Sequence, residues 1–109
     1  MDLANEINQL SIVLDNKISE LPKNNREYAD AYTEYRVLLA KKLLLLRSDG
    51  MPVTIAYDIA RGDDTVAKAK RREIYAEGIY KANIESIQAL KLQIKLKQEQ
   101  LNNEWSRPR

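Results

Sequence analysis

The chain has 109 residues, 44% of them hydrophobic and 31% charged, with a formal net charge of +2 and only three Gly and three Pro. That balance is too apolar for a disordered chain and too poor in Gly and Pro for a loop-rich β fold, and it matches the profile of long helices. Cys and His are both absent, which excludes disulfides, zinc–thiolate sites, cysteine nucleophiles and histidine bases.

Leu3, Ile7, Leu10, Leu14, Ile18 and Leu21 step by three and four, which predicts one face of a helix over about 2–21. Pro22 should end it, with Pro22-Lys23-Asn24-Asn25 as the connecting turn. A second helix is expected over 26–48, its stripe being Tyr28, Tyr32, Tyr35, Leu39, Leu43 and Leu46. Tyrosines at this spacing read as core with the hydroxyl at the edge, although Tyr rings can also stack nucleobases. Val37, Leu38, Leu44 and Leu45 lie off the stripe, so this helix should touch more than one neighbour.

Ser48-Asp49-Gly50-Met51-Pro52 is the strongest break in the chain. A short helix is predicted over 54–61, with Thr54 as N-cap and Gly62 in the left-handed position after it. Asp63 or Asp64 then caps a last helix over 64–105, about 60 Å of helix if unbroken. Gly78 is its expected weak point, as a kink or a site of close helix approach. The fold class predicted is all-α: a helical hairpin plus a long C-terminal helix, arranged as an antiparallel coiled coil or bundle within one domain.

The last helix carries Tyr80, Ile84, Ile87, Ile94, Leu101 and Trp105 at heptad spacing, with Leu90, Leu92 and Leu96 widening the apolar surface. Lys91 and Gln98 fill the gaps in that repeat. A hairpin folded at Pro22 would cover only half of this helix. The stripe beyond Gln88 would then need a second copy of the chain, with Lys91 and Gln98 helping to set register. A homo-oligomer, dimer or higher, is therefore expected, through Tyr80, Ile84, Ile87, Leu90, Ile94, Leu101 and Trp105. Docking of the second helix farther along would cover the same stripe within one subunit.

Charge is uneven: residues 1–60 carry seven Lys/Arg against nine Asp/Glu, and residues 61–109 eleven against seven. The basic segment around Arg61, Lys68, Lys70, Arg71 and Arg72 follows a short helix and a Gly, which resembles a helix-turn-helix. The turn is short for that motif, and at 100° per residue the basic side chains are expected to fan around the helix. Nucleic-acid binding through this segment is thus an alternative to a protein partner. Arg61-Gly62-Asp63 spells an adhesion tripeptide but reads as a helix end followed by a cap.

Catalytic equipment is missing from the sequence. Di-iron bundles need Glu-x-x-His, and nucleotide pyrophosphohydrolases of all-α fold need Glu-x-x-Glu with Glu-x-x-Asp. Only Glu27-Tyr28-Ala29-Asp30 fits the second pattern, and Glu27, Asp30 and Glu34 read as a solvated face. With no phosphate-binding Gly-rich loop either, no catalytic, cofactor or metal site is expected and the chain reads as non-enzymatic. The acidic start Met1-Asp2-Leu3 lacks a signal-peptide layout, and the apolar run Val37–Leu46 is interrupted by Lys41-Lys42. No membrane contact and a cytoplasmic location are the expectations.

Four phrases carry a family resemblance: Ala40-Lys41-Lys42-Leu43-Leu44-Leu45-Leu46-Arg47, Gly50-Met51-Pro52-Val53-Thr54, Asp58-Ile59-Ala60-Arg61-Gly62-Asp63, and Ala89-Leu90-Lys91-Leu92-Gln93-Ile94. Over residues 36–105 they resemble small helical proteins encoded in the early, replication and recombination regions of phages and prophages of Gram-positive bacteria. That group carries no agreed biochemical activity, so no functional residue transfers. The resemblance implies a setting, a phage protein in the host cytoplasm. The surplus helical stripe without catalytic equipment leads to the expectation of an oligomeric helical adaptor that binds another protein, with an inhibitor of a host enzyme or defence protein as a further alternative.

Overall fold

The computed structural model describes residues 2–106. Three helices make up nearly all of them, α1 Leu3–Ser48, α2 Val53–Gly62 and α3 Asp64–Ser106, and no strand occurs among the described residues. The chain is therefore all-α, as its composition implied. Arg107, Pro108 and Arg109, read as part of a fraying end, lie outside the described residues.

The turn expected at Pro22–Asn25 does not form. α1 passes straight through it with Pro22 in its interior. An interior proline removes one backbone bond and costs about 3 kcal/mol against Ala. Here it leaves the carbonyl of Ile18 without its intrahelical donor, and Ile18 is an exposed residue whose carbonyl water can serve. The start of α1 is well capped. Asp2 Oδ1 accepts the N–H of Asn5 at 2.7 Å, and the Asp2 carbonyl accepts that of Glu6 at 3.1 Å.

The chain packs as two compact units, residues 1–23 with 81–109, and residues 24–80. In the first, α1 and α3 run antiparallel. Lys97 Nζ reaches Glu6 Oε2 at 3.3 Å, and Asn83 Nδ2 donates to the Lys17 carbonyl at 3.0 Å. The paired faces are Leu3, Ile7, Leu10, Leu14, Lys17 and Leu21 on α1, and Asn83, Ile87, Leu90, Ile94, Lys97 and Leu101 on α3, all buried or half-buried. Each series alternates steps of four and three, which keeps a helix seam turned toward one neighbour. The polar seam positions are thus Asn83 and Lys97, not Lys91 and Gln98, which are exposed.

The second unit holds the end of α1, all of α2 and the start of α3. Leu39, Ala60 and Val66 form its core, with Tyr35, Leu38, Leu43 and Leu46 packed against them. α2 lays Ala56 and Ala60 against this core with no exposed surface at all. Small contact residues let helix axes approach closely.

α1 ends in a Schellman motif. Gly50 has φ +86°, its N–H donates to the Arg47 carbonyl at 3.0 Å, and that of Met51 to the Leu46 carbonyl at 3.2 Å. The N-cap of α2 lies two residues earlier than expected, at Pro52 and not Thr54. Proline suits a helix start because its missing N–H has no partner there anyway. Gly62 is not left-handed; it is the last residue of α2, and Asp63 is the extended one. Asp63 alone joins α2 to α3. Its N–H donates to the Ala60 carbonyl at 3.2 Å, and its Oδ2 accepts the N–H of Val66 at 3.3 Å.

Gly78 is neither a break nor a close approach. α3 runs through it, and a Cβ added there would meet open space.

Two substitutions test these features by thermal unfolding. Pro22→Ala should raise stability by about 1–3 kcal/mol, because a continuous helix regains a backbone bond. A fall in Tm would mean that Pro22 terminates a helix. Gly78→Ala should add up to about 1 kcal/mol, a few degrees in Tm.

Candidate functional site

The residues expected to pair with a second copy fall into two groups. Ile87 is buried, and Ile84, Leu90, Ile94 and Leu101 are half-buried, in the unit where α1 covers this side of α3. The covering face, Leu3 to Leu21, is available because Pro22 does not fold α1 back. Tyr80 is half-buried in the other unit, its ring 5.9 Å from that of Tyr28. Trp105 alone of the set stays open, 82% exposed, and Leu92 and Leu96 are exposed beside the seam.

The basic segment also divides. Lys70 stays exposed, with its ammonium 4.7 Å from the Tyr35 ring centre and 2.8 Å from buried Glu73. Its ion pair with Glu73 raises its pKa above the usual lysine value, against the opposing effect of burial. Arg61 stacks over Tyr57 at 5.4 Å, and with Lys70, Tyr35, Asp58 and Gly62 these two line a groove. Lys68, Arg71 and Arg72, spaced i, i+3 and i+4, line one groove on α3 together with Ile74 and Tyr75, while Lys70 lines another. Lys68 pairs with Asp64 at 3.0 Å and Arg72 with Glu34, both pairs exposed. The one-residue junction at Asp63 is also shorter than the turn of a helix-turn-helix.

Of the tyrosine stripe, Tyr28 and Tyr35 are half-buried, whereas Tyr32 is exposed, contrary to its reading as core. Ala31, fully buried one residue earlier, takes the contact position on that side of α1. The Tyr28 hydroxyl donates to Glu77 Oε2 at 2.6 Å. That bond, then burial and the negative charges of Glu77 and Glu73, push the Tyr28 pKa from 10.0 up to about 12.

Sequence periodicity did not single out the outer face of α2. Ile55 and Ile59 share that face and are roughly half exposed, while the same helix buries only alanines. On α1, Leu44 and Leu45 are exposed as well. The signal for α2 was available in principle. Its apolar residues sit on both faces, more than one small helix can bury against one core.

Among the described residues, no group of three or more acidic side chains gathers as metal ligands, and no helix is long and apolar enough to cross a membrane. Comparison with family models, curated proteins and solved structures finds no match.

The Tyr28–Glu77 bond favours the protonated phenol, so its contribution to stability is complete below pH 10.0 and is lost as pH rises through about 12. NMR of ring-labelled tyrosine should place the Tyr28 midpoint near 12, and Glu77→Gln should move it down toward 10.0. A wild-type midpoint at 10.0 would show that the bond is not made in solution.

Proposed function

We propose that the chain is a non-enzymatic helical interaction protein that docks another protein on the exposed apolar face of α2. The observation that carries this reading is an inversion of size. α2 buries Ala56 and Ala60 and presents Ile55 and Ile59, four residues apart on one face, to solvent. A helix selected only for its own stability would turn its larger aliphatics inward, where each is worth about 1.5–3 kcal/mol on burial. Clustered apolar surface on a small chain marks partner sites. The resemblance to early-region phage proteins supplies the setting, an adaptor at work in the cytoplasm of a bacterial host.

Self-association through α3 has less surface to draw on than the heptad spacing suggests. α1 covers Ile87, Leu90, Ile94 and Leu101, and only Leu92, Leu96 and Trp105 remain for a second copy. Nucleic-acid binding has one supporting observation, the shared face of Lys68, Arg71 and Arg72. Against it stand the pairs that Lys68, Arg72 and Lys70 make with Asp64, Glu34 and Glu73, since phosphate backbones require a run of uncompensated cations.

The test is affinity capture from host lysate with wild-type chain and with the double substitution Ile55→Lys, Ile59→Lys. Both positions are exposed, so helix content and Tm should hold within about 0.5 kcal/mol. A specific partner should be retained by the wild type and reduced about tenfold or more by the variant. Equal capture by the two sinks the reading.

A further inference from the structure

We propose that the outward groove of α3 between Lys68 and Tyr75 is a second contact surface, one that takes an acidic, amphipathic segment of a partner protein. This deepens the interaction-protein reading and rests on it. The groove has a volume of about 520 Å³ and is lined by Lys68, Arg71, Arg72, Ile74 and Tyr75. Its lining is mainly carbon, supplied by Ile74, the Tyr75 ring and the aliphatic stems of the three cations. Both apolar residues are well exposed, Tyr75 at 71%. No carboxylate lines the groove.

The charges are available to a ligand. Arg71 pairs with no carboxylate among the described residues. The pairs that Lys68 and Arg72 make are exposed, and such pairs contribute about 0–1 kcal/mol, so a partner carboxylate can replace either at small cost. Arginine in particular accepts a carboxylate through two parallel N–H bonds. The occupant follows from complementarity: carboxylates to meet the rim, and aliphatic or aromatic side chains to seat on Ile74 and Tyr75. A helical segment supplies both at i, i+3 and i+4 spacing. A nucleic acid would satisfy the cations but leave the aliphatic side chain of Ile74 without an apolar partner.

A display library of random peptides about 16 residues long, roughly four turns of helix, is selected against the full chain. The enriched peptides should combine Asp or Glu with apolar residues. Made synthetically, they should bind the wild type more weakly as salt rises. Arg71→Glu and Tyr75→Ser should each reduce affinity about tenfold or more, Arg71→Lys less, and all three should keep wild-type helix content by circular dichroism. Selection without acidic bias, or unchanged affinity for Arg71→Glu, overturns the proposal. So does an oligonucleotide that binds the wild type in an Arg71-dependent manner while no peptide does. Peptides lost only on Ile55→Lys, Ile59→Lys would overturn this groove and leave the α2 surface standing.

Discussion

The antiparallel pairing of α1 with α3 is the constraint on which everything else in the structure rests. Neither helix is self-sufficient, since isolated helices in water are marginal and gain most of their stability from an apolar face covered by a neighbour. In the unit formed by residues 1–23 and 81–109 those two helix segments are all there is, so each seam residue on one depends on the other. Aliphatic seam positions supply attraction without selecting an alignment. Asn83 supplies the alignment. It is buried, and its amide donates to the backbone carbonyl of Lys17. A shift of the pairing by one turn would bury that amide among aliphatics without this acceptor, at a cost of about 1–3 kcal/mol. The exposed face of α2 and the cationic groove lie in the other unit, where α1 and α3 form the platform on which α2 is set.

Much of this was legible in the sequence, and the parts that were not share a cause. The faces of residues 3–21 and 28–46 were readable because large aliphatic or aromatic residues recur there at helical spacing. Pro22 was misread because its penalty is a local quantity of about 3 kcal/mol, whereas the helix around it is held by contacts made tens of residues away. The seam of α3 was displaced because Leu90, Leu92, Ile94 and Leu96 are apolar in alternation, and only the partner face on α1 decides which of them turn inward. α2 escaped for the opposite reason. Alanine carries little weight in a periodicity argument, yet Ala56 and Ala60 are the contacts that set how close the helix lies.

The basic segment shows how far spacing alone can mislead. Four cations within five residues cannot share a face, and the inference that they fan out followed from that. The structure separates Lys70, which sits beside Glu73 and Tyr35, from three others that share a groove on another side of α3. Glu73 lies three residues beyond Lys70 and was legible only as one more charge in a solvated stretch.

The pairing also has a consequence in time. Glu6 and Lys97 are 91 residues apart in sequence, and Lys17 and Asn83 are 66 apart. A ribosome makes the Leu3–Leu21 face well before its cover, at a rate of about 5–20 residues per second. For several seconds of synthesis that apolar stripe has no mate in the nascent chain. The segment 24–80 can close on itself meanwhile, with separations of 38 to 49 residues between Glu34 and Arg72 and between Tyr28 and Glu77. Loop closure over the longer span is the slower event. The order of assembly is thus written into the topology, and the Leu3–Leu21 face waits longer for its cover than the faces within 24–80 do.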